Sequence, residues 1–275
     1  MSDPRPIGLF DSGIGGLTVW RELRRALPLE STVYLGDDAR LPYGPRSQEQ
    51  VRGFAHEIVE LLLALHDVKI IVVACNTASA AALESLRRAY QSGGPPIIGV
   101  IEPGAHAAIS ATRNGRIGVM ATTGTVASGA YTRAILSAEP TAEVLAHACP
   151  RLVPLVESGE TGGPRVETVL REDLAPLIDA GADIVILGCT HYPLLRPALD
   201  HVVDGRLAIV DSARITAAET AALLDARGLR APDDATPTHH LYSTGAPDAF
   251  RALGRRIFGE DVGPVALARV GAAIN

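Results

Sequence analysis

The sequence predicts an α/β fold in which parallel sheets deliver residues to a cleft between two domains, and three observations carry that prediction. Strand-like and helix-like segments alternate along the chain, which makes βαβ units with right-handed crossovers and hence parallel strands. Two apolar runs, Ile70-Ile71-Val72-Val73-Ala74-Cys75-Asn76-Thr77 and Ile184-Val185-Ile186-Leu187-Gly188-Cys189-Thr190-His191, read as strands buried on both faces. Each stops at a thiol, followed by small polar residues and a helical pattern. The 275 residues are 47% hydrophobic, enough for a large core and, by length, for about two domains.

Strands are expected near 6–10, 32–35, 70–74, 96–100, 116–120, 143–147, 183–187, 207–210 and 239–243, where apolar runs lie between turn residues. Ser47-Gln48-Glu49-Gln50 has the capping-box pattern and opens a long helix over 47–66. A helix over 212–227 is expected to end at Gly228, since glycine suits the left-handed position that closes many helices. An internal repeat organises these elements: Ile7-Gly8-Leu9-Phe10-Asp11-Ser12 aligns with Ile117-Gly118-Val119-Met120-Ala121-Thr122, and Cys75 aligns with Cys189 at almost the same offset. The small difference is absorbed in a loop. The residues after Asp211 hold too few strands for a core of their own. They are expected to return, so that 1–97 with 211–275 forms a first, discontinuous α/β domain and 98–210 a second, with the cleft between them.

Several classes of function are set aside by composition. No apolar region follows Met1-Ser2-Asp3-Pro4-Arg5 and no stretch is long enough to span a bilayer, so a soluble cytoplasmic protein without a membrane partner is expected. In that reducing compartment Cys75, Cys149 and Cys189 are not expected to form disulfides. A net charge of -6 speaks against a broad nucleic-acid surface. Among 25 basic residues only Lys69 is a lysine, and it stands at the start of the first cysteine strand, so no lysine is placed to hold pyridoxal phosphate. The cysteines lack the spacing of a zinc quartet and His239-His240 reads as part of a strand, so neither metal nor cofactor is expected.

The chemistry follows from where the strands end. Ligands of parallel sheets bind at the carboxyl ends of strands, so two thiols at equivalent ends face one another across a small substrate. A helix N-terminus or a neighbouring charge poises a thiol near neutrality. A matched pair then serves as base and acid: one thiolate takes a proton from one face of a carbon, and the opposite thiol returns a proton to the other face. That inverts a stereocentre. Ser12, Asn76, Thr77, Thr122, Thr125 and Thr190, with the backbone N–H groups of Asp11-Ser12-Gly13-Ile14-Gly15-Gly16 and Pro42-Tyr43-Gly44, suit a small anionic substrate. Asp11, Glu157 and His191 are the titratable groups best placed to tune the thiols. Plainer readings stand beside these. Cys149, before Pro150, reads as a small buried hydrophobe, Gly13-Ile14-Gly15-Gly16 as a tight turn without dinucleotide spacing, Asp11 as a cap for the helix beginning near Gly16, and His191 as a partner of a backbone carbonyl.

At these residues the chain resembles the glutamate racemase family within the aspartate/glutamate racemase superfamily. The resemblance is carried by Ile7 to Val19, Leu41-Pro42-Tyr43-Gly44, Ala74 to Ser79, Thr122-Thr123-Gly124-Thr125, Val153 to Glu157, and Leu187 to Pro193, in order along nearly the whole chain. It implies two α/β domains related by a pseudo-twofold and a cofactor-independent interconversion of L- and D-glutamate that supplies D-glutamate for peptidoglycan synthesis and so for cell-wall biogenesis and cell shape. By matching position it implies Cys75 and Cys189 as catalytic acid/base residues, Cys75 toward D-glutamate and Cys189 toward L-glutamate, with Asp11, Glu157 and His191 as auxiliary charges. Asp11, Ser12, Pro42, Tyr43, Gly44, Asn76, Thr77, Thr122, Thr125, Thr190 and His191 would bind substrate. A homodimer is implied as well. Some relatives bind DNA gyrase, a role for which no determinant is readable here. Aspartate racemases usually carry Cys-Thr-Glu where this chain has Cys189-Thr190-His191, which favours glutamate over aspartate. The reading from another class is a two-lobed protein that closes on a small acid without chemistry.

Overall fold

The computed structural model describes residues 2–271. Its strands are, in chain order, β1 (Ile7–Asp11), β2 (Thr32–Gly36), β3 (Ile70–Val73), β4 (Ile97–Gly99), β5 (Arg116–Ala121), β6 (Glu143–Ala148), β7 (Ile184–Gly188), β8 (Ala208–Asp211), β9 (His239–Ser243) and β10 (Val265–Leu267). Six of them form one sheet in the order β10-β9-β2-β1-β3-β4, and four form another in the order β6-β5-β7-β8. Every pairing is parallel. The run β2-β1-β3-β4 has the same connectivity as β6-β5-β7-β8, and the registers correspond, with Ile7 opposite Ile70 and Ile117 opposite Ile184. The repeat in the sequence is therefore a repeat of architecture: two parallel-sheet α/β domains related by a pseudo-twofold.

The apolar runs form strands here because both of their faces find a core. Along β3, Ile71 and Val73 pack with helices Gln48–His66 and Asn76–Tyr90, while Ile70 and Val72 pack on the other face with helices Leu17–Ala26 and Ser212–Arg227. The period of two is that of a pleated strand. Along β7, Val185 and Leu187 face helices Leu152–Glu157 and Pro164–Asp179, while Ile184 and Ile186 face helices Ile101–Ala111 and Ala130–Ala138. Each such side chain, fully buried, contributes roughly 1.5–3 kcal/mol. That is ample to hold strands only four or five residues long.

Local signals appear where the sequence places them. Ser47 accepts from the Gln50 N–H while the Gln50 side chain accepts from Ser47, and the helix Gln48–His66 follows. Gly228 closes helix Ser212–Arg227 at φ 64°. Helix Ser212–Arg227 packs against both Leu17–Ala26 and Ile101–Ala111, at the point where the chain returns from the second sheet to the first. The strand β10 was not anticipated: three residues following Pro264 show no period, and they pair only with β9 at the sheet edge. Lys69 lies at the amino end of β3, fully buried, with its Nζ 2.6 Å from Glu30 and donating to the Asp3 carbonyl. Among the described residues no helix is long and apolar enough to cross a membrane.

Candidate active site

In both sheets the chain leaves the first strand toward one side and then crosses to the other, between β1 and β3 and again between β5 and β7. These reversals open crevices at the carboxyl ends of the strands. Asp11-Ser12 follow β1, Cys75-Asn76-Thr77 follow β3, Thr122 follows β5, and Cys189-Thr190-His191 follow β7. The crevices share one cleft of about 420 Å³, lined from one side by Ser12, Pro42, Tyr43, Gly44, Cys75, Asn76 and Thr77, and from the other by Thr122, Glu157, Cys189, Thr190 and His191. A wider hollow beside Lys69, about 720 Å³, lies at the opposite end of β3 and has no thiol in its wall.

Cys75 caps the helix Asn76–Tyr90. Its sulfur accepts from the Ala78 N–H at 3.5 Å, and the thiol donates to Ser12 Oγ at 3.7 Å. Burial, reinforced by the Asp11 carboxylate, pushes this thiol up to about 12 against the opposing pull of the Ala78 and Ser12 contacts. It holds its proton at neutral pH. Asp11 itself is fully buried beneath the cleft rather than in its wall, where it accepts from the Gly13 N–H at 2.9 Å and from Thr190 Oγ1 at 3.3 Å. It does not cap the following helix, whose N-cap position is Gly16. The glycine turn is set by close approach: a Cβ on Gly15 would stand 2.4 Å from Thr190 Oγ1, across the interface with the second sheet's loops.

Cys189 has different company. Its sulfur lies 3.8 Å from His191 Nδ1, and His191 Nε2 is 3.2 Å from Glu157 Oε1. Burial alone would lower the His191 pKa, but its contacts with Cys189 and Glu157 outweigh that and hold it up to about 10. An imidazolium therefore stands beside the Cys189 sulfur at neutral pH. His191 is thus not a backbone-bonded core histidine.

Hydroxyls stitch the two sides together. Thr77 Oγ1 lies 3.1 Å from Thr122 Oγ1 and 3.2 Å from Thr125 Oγ1, and Thr122 caps the short helix Thr123–Ser128 through the Thr125 N–H. Thr125, like Asp11, is buried behind the wall. Gly44 and Gly124 meet so closely that a Cβ on Gly124 would be 2.4 Å from the Gly44 carbonyl oxygen. Among the described residues neither lysine nor arginine lines the cleft. Carboxylates entering it would meet hydroxyls and the N-terminus of helix Asn76–Tyr90.

Sequence reasoning missed part of the wall and its support. Leu41, Pro45, Thr123, Cys149, Pro150, Val153 and Pro154 also line the cleft, while Cys149 remains a fully buried core residue whose thiol donates to the His147 carbonyl. Asp37, fully buried, accepts from Tyr43 Oη, from Arg40 Nε at 2.7 Å and from Thr244 Oγ1 at 2.7 Å, and so anchors the Tyr43 loop. An acidic pair, Asp37-Asp38, directly after a strand was the available signal.

Comparison with known proteins matches this geometry. Residues 15–220 match the family model described as Asp/Glu/Hydantoin racemase. The glutamate racemase of Levilactobacillus brevis is 46% identical over 248 residues, covering 90% of this chain and 89% of the relative. The chain belongs to the glutamate racemase family. A solved glutamate racemase isoform, RacE1 of Bacillus anthracis, superposes with a TM-score of 0.90 at 41% identity, covering 96% of this chain and 97% of that one. A glutamate racemase from Francisella tularensis, solved in complex with D-glutamate, superposes with a TM-score of 0.89 at 33% identity, covering 98% and 99%. An aspartate racemase from Picrophilus torridus gives 0.52 at 18% identity, a likeness of fold alone. Membership in the glutamate racemase family makes the protein an isomerase.

Proposed function

We propose that the cleft interconverts L- and D-glutamate by two-thiol proton transfer. The observation that carries this reading is the delivery of Cys75 and Cys189 from corresponding strands to one cleft, in unlike surroundings. From L-glutamate, the Cys189 thiolate takes the α-proton, forming an S–H bond and leaving the electron pair on the α-carbon and its carboxylate. The Cys75 thiol then gives its proton to the opposite face, and Cys75 is left as the thiolate. From D-glutamate the roles reverse. Ser12, Asn76, Thr77, Thr122, Thr190 and the Pro42-Tyr43-Gly44 loop hold the substrate, Asp11 and Thr125 support them from behind, and the His191–Glu157 pair supplies charge at Cys189. The relatives named glutamate racemase support the choice of substrate.

The reading extends to D-glutamate supply for peptidoglycan in a cytoplasmic homodimer, and to a division of the chain into 1–97 with 211–275 and 98–210. The membership of the strands in their two sheets supports that division except at its first boundary, where Ile98 and Gly99 of β4 belong to the first sheet.

Deuterium oxide tests the mechanism. Each thiol carries one proton and exchanges it with solvent, so product isolated at early times should contain deuterium at the α-carbon while unreacted substrate remains protiated. Cys75→Ser and Cys189→Ser should each lose most racemisation while still binding substrate, because a serine hydroxyl is far less acidic than a thiol. Absence of any exchange would leave a binding protein, and product retaining the substrate's own proton would require a single base.

A further inference from the structure

Behind the cleft wall, buried polar groups form one directed chain. Asn76 Nδ2 donates to Tyr131 Oη at 2.8 Å, Tyr131 Oη lies 3.4 Å from Ser212 Oγ, and Ser212 Oγ donates to the Leu187 carbonyl at 3.4 Å. Tyr131, Asn76 and Ser212 are all buried. Tyr131 comes from the helix Ala130–Ala138 beside the second sheet, whereas Asn76 opens the helix after β3 of the first. Leu187 precedes Cys189 by two residues on β7, and Asn76 follows Cys75 directly. The chain thus runs from the neighbour of one thiol to the strand carrying the other.

The direction of the bonds decides what Asn76 can offer. Burial raises the Tyr131 phenol above the ordinary tyrosine range despite the hydrogen bonds from Ser212 and Asn76, so the phenol keeps its proton. Ser212 directs its own proton to Leu187 and leaves its oxygen lone pairs for Tyr131. With Ser212 donating to Leu187, the phenol proton can close the chain onto Ser212 Oγ while Tyr131 Oη accepts from Asn76 Nδ2, which makes all three bonds. Turning the Asn76 amide over would draw the phenol proton to Oδ1 and leave no hydrogen between Tyr131 and Ser212, so the fully bonded arrangement has Nδ2 toward Tyr131. Asn76 Oδ1 takes no hydrogen bond among the described residues, and Asn76 is part of the cleft wall. A free carbonyl oxygen there repels a carboxylate and suits a cation.

We propose that Tyr131 is a positioning residue that locks the Asn76 amide so that its carbonyl oxygen accepts from the ammonium group of the amino-acid substrate. This rests on the reading that the cleft takes glutamate. Tyr131 thereby helps select an amino acid over a plain dicarboxylate, although it touches neither.

Tyr131→Phe keeps the ring and removes only the hydroxyl. It should raise KM for both glutamate enantiomers about tenfold, the loss of one buried hydrogen bond's worth of orientation, with kcat much less affected. Inhibition by glutarate, which has both carboxylates and no ammonium, should be unchanged. In a double-mutant cycle, Tyr131→Phe should add nothing to Asn76→Ala, because the first acts through the second. Ser212→Ala, which frees the phenolic proton, should give a smaller rise in KM that likewise vanishes in the Asn76→Ala background. Equal weakening of glutamate and glutarate, or multiplicative losses in the cycle, would overturn the proposal while racemisation by wild type left the two-thiol reading standing. Wild type without racemisation would instead remove the reading on which it rests.

Discussion

Replacing Glu157 with glutamine keeps the shape of the side chain beside His191 and removes its charge. In the wild type His191 is held up to about 10, against its burial, by Cys189 on one ring nitrogen and Glu157 at 3.2 Å on the other. A charge-assisted hydrogen bond contributes about 1.5–3 kcal/mol. The Glu157 side chain is 29% exposed, so the lower end applies. About 1.5 kcal/mol corresponds to about one pH unit. The sign follows from the raised pKa: the stabilisation is complete below the ordinary histidine value near 6.5 and is lost as pH rises through about 10. In Glu157→Gln the alkaline decline of kcat for L-glutamate should therefore move down by about one pH unit. The variant's deficit in thermal stability should be largest near neutrality and fade above pH 10. The measurement is polarimetric, with saturating substrate, because kcat reports groups in the bound complex whereas kcat/KM also senses the ammonium of free glutamate. Glu160→Gln, nearby and outside the cleft wall, serves as the control. An unmoved alkaline limb, or one displaced upward, would refute the assignment of His191 as the cation at Cys189.

Two further outcomes follow from packing. Gly124→Ala should raise KM and cost about 1–3 kcal/mol of stability, because its Cβ meets a backbone oxygen that cannot swing aside and so wedges the cleft; Michaelis kinetics with a melting curve checks both. Lys69→Met leaves the Glu30 carboxylate buried without its counter-ion, so urea unfolding should show a loss of about 3–5 kcal/mol while kcat is retained, since Lys69 lies at the far end of β3 from the thiols.

What could be read from the sequence was whatever recurs with a period or repeats within the chain. The strands ending at Cys75 and Cys189 were legible because burial on both faces leaves an unbroken apolar run, and the doubling of that run exposed the sheet order on which the cleft depends. The edge strand β10 was not, since an edge position asks little of three residues. The hydroxyls of Thr77 and Thr122 could be placed at the ends of strands, but their mutual contact depends on how two separately coded layers meet. Asp37 and Tyr131 were hidden for the same reason: each works through partners distant in sequence, and nothing local distinguishes a buried acid or phenol that has found a donor from one that has not. Cys149 is the small buried hydrophobe its neighbours suggest, packed in the core of the second sheet, and what the sequence did not show is that the segment it opens also reaches the cleft wall at Pro150, Val153, Pro154 and Glu157.

The unlike neighbours of the two thiols bear on how a population of enzyme molecules waits for substrate. Two thiols sharing one proton have two singly protonated microstates, and in a perfectly symmetric duplicate these would be equally filled, leaving half the molecules in the wrong form for whichever enantiomer arrived. Asp11 beside Cys75 and the His191–Glu157 pair beside Cys189 break that symmetry: burial and the Asp11 charge push the Cys75 thiol up, while a raised His191 stands at the other sulfur. The enantiomers have equal free energy in water, so kcat/KM must still be the same in both directions. The imbalance can appear only as unequal kcat and KM values whose ratios agree, and as a delay in relaxing the product-facing microstate when substrate is plentiful. Duplication of the half-site thus supplies the two opposed faces, and divergence around it sets a resting direction.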